Sequence, residues 1–429
     1  MNYPDSTKRK AVEIVTKERV RLGNKISWDD IRDKINNATG DCPSRKQIAE
    51  WERLPEFSDI ISGIMAEEDK HLQAEILSLR AQNKDLVDEL AQHRKGTVMA
   101  DKIIAVIQEN IIPYREVSKA IKFDKATGDI HVIWFISDIH YNERVHPKLF
   151  MSAPDSEFPG LEDTHNEYDL DIAEARIRWA INTALHQTLT AEDPARLSSV
   201  KIVLGGDNNN GDIHNANVTN CIGSGSAFIR LADILSDCVE MIARELPHVA
   251  IDVINKVGNH GRLLQSQQVR GNNPKTLTEN YDYFTGAFIK SRCELLKNVR
   301  VENEPTPVSL RSICGHTHAF THGDDIRGGG GLSKVPMFGI AQKTYERTIQ
   351  LLGRNVPLHD IHWGHWHRYF VTEYGLGYVF ISPSVIGQTE RGEFYGYSPR
   401  RGIRICWCTE NHPIGANYVI DIPKKPTII

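Results

Sequence analysis

The chain lacks any apolar run approaching the eighteen or so residues of a membrane-spanning helix. Its first residues, Met1-Asn2-Tyr3-Pro4-Asp5, carry no apolar h-region, so no secretory signal is expected there. Cysteine is scarce. Seven in 429 residues do not make a disulfide scaffold, and the one close pair, Cys406 and Cys408 around Trp407, falls on one face of an expected strand. These absences point to a reducing cytoplasm and to no membrane partner. Charge of one sign is lacking too. A net charge of −5 gives no global basic field, so any nucleic-acid contact has to come from a local basic surface. Beyond the glycines Gly328 to Gly331 there are no repeats or low-complexity tracts. What is present is length, enough for two or three domains and a full core.

Four short signatures stand in order along the last 300 or so residues. They are Ser137-Asp138-Ile139-His140, Gly205-Gly206-Asp207, Gly258-Asn259-His260 and Gly364-His365-Trp366-His367. The first three follow apolar, β-favouring residues: Ile133 to Ile136, Ile202 to Leu204 and Ile251 to Ile254. Loops at the C-terminal ends of buried strands are where α/β proteins place their chemistry. Asp, His and Asn at such ends offer mixed oxygen and nitrogen donors, which suit divalent transition metals better than Ca²⁺ or Mg²⁺. From Ile130 onward strand and helix patterns alternate. Helices are expected over Asp169–Thr188, Phe228–Glu245, roughly Lys275–Leu296 and 335–352. Strands are expected at Val299–Val301 and Ala319–Thr321, the latter delivering His322, and the tail from Gly377 to Ile420 reads as short antiparallel strands. This pattern predicts an α/β fold, a two-sheet sandwich flanked by helices.

At these motifs the chain resembles the calcineurin-like metallophosphoesterases, whose pattern runs D-x-H, G-D, G-N-H, a lone His and G-H-x-H. The resemblance covers roughly residues 130 to 400. Thr321-His322-Gly323-Asp324 with the glycine run after it, and Gly258-Asn259-His260-Gly261-Arg262, are similar to phage-type members related to DNA-repair nucleases. The resemblance implies a two-metal site. Asp207 would bridge the ions, Asp138, His140 and His367 would complete one shell, and Asn259, His322 and His365 the other. The ions would be divalent, manganese first, with zinc, iron, nickel or magnesium as other candidates. His260 would serve the leaving oxygen as acid or electrostatic partner without binding metal. Arg262 could clamp a phosphate bidentately or be an ordinary surface arginine, and His214 or Asn210 could face substrate. The chain departs from the family at one point. Most members carry Asp or Glu directly after the Asn-His pair, where this chain has Gly261, so the usual carboxylate partner of His260 is missing.

A second stretch, Gly315-His316-Thr317-His318, also spells G-H-x-H. Taken as the terminal motif, it would leave His365 and His367 without a role and the lone-His slot empty. Taking His322 as the lone ligand and Gly364–His367 as the terminal pair fills every slot in order. His316 and His318 are then expected in the strand or turn before His322.

Ahead of this region the chain reads as an all-α N-terminal part. Residues 1–66 form a helical, helix-turn-helix-like domain. Ser27 caps one helix from Trp28 to Asn36, Gly40-Asp41-Cys42-Pro43 breaks the chain, and Ser44 caps a second helix through Arg53. That second helix opens on Arg45, Lys46 and Gln47, residue types that reach phosphates and base edges. A small bundle for protein contact is the alternative. Residues 67–98 form a coiled-coil helix with a seam of Leu72, Ile76, Leu79, Asn83, Leu86 and Leu90, where one buried Asn would fix register between two copies. The alternative is an amphipathic helix lying on the catalytic domain. Residues 99–129 are a linker, and 130–429 the phosphoesterase-like domain.

The sequence thus predicts a dinuclear metal-dependent phosphoesterase that cleaves phosphodiester bonds in DNA by attack of a metal-activated water. It is expected to be a nuclease of a phage or its host cytoplasm, self-associating through residues 67–94. A phosphomonoesterase or small-nucleotide phosphodiesterase, a protein phosphatase, and a DNA-binding or assembly protein with an incidental phosphoesterase domain are the alternatives.

Overall fold

The computed structural model describes residues 3–22, 28–41, 43–64, 100–116, 122, 128–146, 166–191, 194–212, 216–263, 277–326, 336–389 and 399–427. The expected coiled-coil seam, His214 and the glycine run at 328–331 lie outside the described residues. The chain divides into two compact units, Met1–Lys95 and Gly96–Ile429. Among the described residues, no helix is long and apolar enough to cross a membrane.

In the first unit, α1 (Asp5–Leu22), α2 (Trp28–Thr39) and α3 (Arg45–Trp51) close on a small core of Ala11, Val12, Val15, Ile31, Ile35, Ile48, Trp51 and Phe57. Ile31 and Ile35 are four residues apart and so share the inward face of α2. A capping box starts α3: the Ser44 hydroxyl accepts from the Gln47 amide while Gln47 Oε1 accepts from the Ser44 amide.

The second unit holds two sheets. The first has six strands in the order β11-β10-β1-β2-β3-β4. Here β1 (Ile130–Ile136), β2 (Leu197–Leu204), β3 (Ala250–Asn255) and β4 (Val299–Glu302) are parallel. The strands β10 (Gly402–Cys408) and β11 (Asn417–Asp421) close one edge in antiparallel pairing. The second sheet runs β5-β6-β7-β9-β8. Its centre, β6 (His316–Thr321), β7 (Asp360–Trp363) and β9 (Gly377–Ile381), is parallel, and β5 (Ser309–Ile313) and β8 (Phe370–Tyr374) flank it antiparallel.

The near-continuous apolar character of β1 follows from burial on both faces. Val132, Trp134 and Ile136 face the helices α4 (Leu170–Ala191) and α5 (Ser224–Glu245). Ile133 and Phe135 face the other way and meet Phe320 of the second sheet. Cys406 and Cys408 lie in that inter-sheet layer, with Trp407 on the opposite face. Among the described residues the unit also holds α6 (Tyr281–Arg292), α7 (Met337–Leu352), a one-turn helix at Ala216–Thr219 and a helical stretch at 100–110, inside the expected linker, whose Ala100 and Ile107 pack with Phe228, Phe284 and Phe288. The expected 275–296 helix is therefore shorter, because Asn280 takes an extended conformation and caps Asp282 with its side chain. The tail differs from expectation as well. Its β9 pairs in parallel with β7, while its other pairings, β9 with β8 and β10 with β1 and β11, are antiparallel.

Candidate metal centre

The parallel strands of both sheets deliver their C-terminal loops to one place. Asp138 and His140 follow β1, Asp207 follows β2, Asn259 and His260 follow β3, His322 follows β6, and His365 and His367 follow β7. Five of these residues, Asp138, His140, Asp207, His365 and His367, have positive φ between 49° and 72°. Side chains rarely adopt that conformation, and it costs about 1–3 kcal/mol per residue. Local chain preference does not produce this arrangement, so the surrounding fold has to impose it.

Three groups of donors result, each with its ligand atoms within 4.8 Å of one another. They are Asp138, His140 and His367; Asp207, His322 and His365; and His140, Asp207 and His260. His140 Nε2 is 3.2 Å from His367 Nε2, and His367 Nε2 is 3.3 Å from Asp138 Oδ1. His322 Nε2 is 3.0 Å from Asp207 Oδ2, while His140 Nε2 reaches the same oxygen at 4.0 Å. The Oδ1 of Asp207 accepts the His260 backbone amide at 2.7 Å. Asp207 therefore faces both sets of imidazoles with one oxygen and anchors the loop after β3 with the other.

The residues fit divalent ions. Nδ1 of His322 is 2.9 Å from the Gly205 carbonyl, which fixes its hydrogen there and turns the Nε2 lone pair toward Asp207. Two lone pairs facing each other at 3.0 Å need a proton or a cation between them. His365 Nδ1 and Asn259 Oδ1 are likewise buried with no hydrogen-bond partner. Neutral imidazoles and carboxylates together are the donor set of a divalent transition metal.

The charge balance of these side chains agrees. Burial pushes the Asp207 carboxyl up, but His322, His260 and His140 outweigh it and hold the acid well below its ordinary range. Burial opposes protonation of His322, and the carboxylates of Asp207 and Asp138 overcome it, raising the imidazole to about 10. His140 is raised to about 9, against its burial, by Glu143, Asp207 and Asp138. Burial and the neighbouring His322 lower His365.

Several residues that hold the site in place went unread in the sequence. Asn210, a substrate-facing candidate in the sequence, places its Oδ1 3.0 Å from His260 Nδ1, where an orienting carboxylate would otherwise act. Asn220 Oδ1 in turn accepts from Asn210 Nδ2 at 2.7 Å. Glu143 Oε2 sits 3.1 Å from His140 Nδ1, the position of an orienting carboxylate behind a ligating histidine. Asp282, fully buried, accepts the Gly258 amide at 2.9 Å and both the backbone and side-chain N–H groups of Asn209 at 2.9 Å. It ties the loop after β2 to the loop after β3. Nothing marks Asp282 in sequence, because its partners are 24 and 73 residues away.

Two glycines are explained by contact. A side chain at Gly258 would run into Asp207 Oδ1 at 2.1 Å, and one at Gly261 into Asn280 Oδ1 at 2.2 Å. The amide of Asn280 thus occupies the space beside Gly261, with its Nδ2 donating to the Gly258 carbonyl at 2.8 Å.

Arg262 is mostly buried and its guanidinium pairs with Asp324, two residues beyond His322. His316 and His318 lie within β6 rather than after it. His316 Nδ1 is 3.1 Å from Asp360, and His318 Nδ1 is 3.1 Å from His362 Nε2. Burial, His316 and Arg404 lower His318 to about 3, which keeps it neutral in the inter-sheet layer. Neither belongs to any of the three donor groups.

No family model and no curated protein matches this chain. Among solved structures it is similar to wild-type Vps29 complexed with zinc from Entamoeba histolytica, at 11% identity over 68% of this chain and 98% of that one, TM-score 0.26. An archaeal phosphodiesterase matches at 10% identity over 67% of this chain and 99% of that one, TM-score 0.28. A conserved predicted phosphoesterase from Streptococcus pneumoniae matches at 8% identity over 69% and 99%, TM-score 0.24. Likeness at this level assigns no function, which has to be read from the site itself.

Proposed function

We propose that this chain is a two-metal phosphoesterase that hydrolyses phosphodiester bonds, with DNA as its substrate class. The observation that carries the reading is Asp207, one buried carboxylate belonging to two donor groups, beside His140 and His260 in one and beside His322 and His365 in the other. A shared carboxylate is how two cations are held close enough to act on one phosphate. When bound, the ions, manganese foremost, would supply Lewis acidity and acidify a water toward neutral pH.

The chain's own groups supply the rest. His260, held at Nδ1 by Asn210, directs its Nε2 as proton source for the leaving oxygen. Arg262, carried near His322 by Asp324, offers guanidinium N–H groups to a phosphate oxygen. Support for DNA comes from the first unit. Its α2 and α3 follow each other across a break at residues 40–44, longer than the usual helix-turn-helix turn, and Arg45 and Lys46 are exposed at the start of α3. Gln47 is committed to its own helix cap, so contact would fall to Arg45, whose guanidinium lies 4.6 Å above the Trp28 ring, and to Lys46. Pairing of two chains through residues 67–94 completes the reading.

The test is turnover of labelled single- and double-stranded DNA, RNA, bis-p-nitrophenyl phosphate and p-nitrophenyl phosphate, with and without Mn²⁺. Metal-dependent cleavage of DNA and of the small diester is expected. Hydrolysis of the monoester alone would replace the reading with a phosphomonoesterase. No turnover of any substrate would leave a binding or assembly protein.

A further inference from the structure

The helix α7 (Met337–Leu352) is apolar on two faces. Ile340, Thr344 and Arg347 are buried, and Ile340 packs with Ala319, Ile361, Trp363 and Val379 of the second sheet. On the opposite face Phe338 is 83% exposed, Tyr345 67%, Ile349 51% and Leu352 44%. At 100° per residue these four fall on one narrow stripe, with Phe338, Tyr345 and Leu352 spaced by seven. Surface helices ordinarily turn charged and polar residues outward. Large hydrophobics in a single row are instead the mark of a contact surface.

We infer that α7 is an interface between two copies of this chain, paired antiparallel about a twofold axis at Tyr345. The area fits. With aromatic side chains of roughly 200 Å² each, the stripe together with Met337 exposes on the order of 500 Å² per chain. Two copies would remove about 1,000 Å² from water, the lower bound for a specific interface. The sequence is also self-complementary in this arrangement, as an isologous contact requires. Centring the axis on Tyr345 sets Phe338 against Leu352 of the second copy, and the bulky Ile349 against the small Ala341. The charge beside the stripe is compensated within each chain, since Glu346 holds Lys343 at 3.2 Å and accepts from Gln342 at 3.0 Å. Antiparallel helices also align their dipoles favourably.

This interface is independent of the metal site and of the seam expected at 67–94. It is tested by sedimentation velocity across the micromolar range on the full chain carrying Leu79→Glu and Leu86→Glu, which removes the seam expected at 67–94. Two chains per particle are expected in that background, and one when Phe338→Glu and Ile349→Glu are added, with the same metal content per chain in both. A seam-broken chain that is monomeric, or a dimer that survives the added substitutions, would overturn the inference. Cysteine cross-linking tests the register. Phe338→Cys mixed with Leu352→Cys should form a disulfide-linked dimer, whereas Phe338→Cys alone should give no more than wild type. Equal self-linking of Phe338→Cys would overturn the antiparallel pairing.

Discussion

His260 Nδ1 is held by Asn210 Oδ1 at 3.0 Å, so a neutral amide does the orienting that a carboxylate would do. The hydrogen bond fixes which ring nitrogen carries its proton toward the protein and which faces the site. His260→Ala is expected to keep both ions and lower kcat by about 10²–10⁴. The loss should shrink for diesters with acidic leaving groups. Asn210→Leu should lower kcat with little change in KM, and Asn210→Asp should restore much of the loss. Steady-state kinetics decide. Equal effects of Asn210→Leu on KM and kcat would make Asn210 a general structural support.

Metal content should depend on Asp207 more than on any other ligand. Asp207→Asn removes the charge shared by two donor groups, so elemental analysis should show both ions lost. His316→Ala, which alters a half-buried strand residue paired with Asp360, should lose neither. Retention of ions in His365→Ala with loss in His316→Ala would place the terminal motif at the wrong histidines.

Metal affinity should fall with pH. In the metal-free site His322 is raised to about 10 and His140 to about 9, so both hold protons at neutral pH. A metal takes the neutral imidazole, and loading must release those protons. Each displaced proton should cost about tenfold in affinity per pH unit lowered below those values. Calorimetric titration at neutral pH in buffers of different ionisation heat should show proton release, and its absence would contradict the charge state described. The same shifts act on folding. Both groups bind protons more tightly folded than unfolded, so their stabilisation of the metal-free chain is complete below the ordinary histidine range. It should fade as pH rises through about 9 and then about 10.

An acidic side chain at position 261 should not be tolerated. Asn280 Oδ1 fills the space beside Gly261. Gly261→Asp or Gly261→Ala should therefore destabilise by about 1–3 kcal/mol, as overpacking does. Thermal unfolding measures this; an unchanged Tm with higher activity would mean that the loop can yield.

The first unit should govern DNA affinity without touching the chemistry. Arg45→Ala with Lys46→Ala should weaken duplex binding and flatten its salt dependence, since phosphate contacts release counterions. Hydrolysis of a small diester should not change. Unchanged gel-shift affinity at low and moderate salt would remove the DNA-targeting role.

The residues of the three donor groups were legible in sequence because each lies within five residues of the end of a buried strand, where residue type and position coincide. The groups that hold them were not. Asp282 and Asn280 act on Gly258 only through tertiary contact, and their surroundings in sequence resemble any helix start. Asn210 was visible as a loop residue, but its partner was not. The strand β5 (Ser309–Ile313) was missed because Ser, Arg and Ser interrupt its apolar pattern at the sheet edge. The duplicate G-H-x-H could be set aside only by counting slots. The physical difference is that His316 and His318 sit in the body of a strand, and His365 and His367 on a loop beyond one.

The left-handed backbone at Asp138, His140, Asp207, His365 and His367 has an evolutionary side. Glycine would adopt those angles without steric conflict, so each of these side chains stands where a more comfortable residue exists. A lineage released from selection for activity should drift toward glycine at these five positions and gain thermal stability as it does so. Chains that keep the loops but carry glycine at these positions would then be the hardier proteins, free of the strain these five side chains impose.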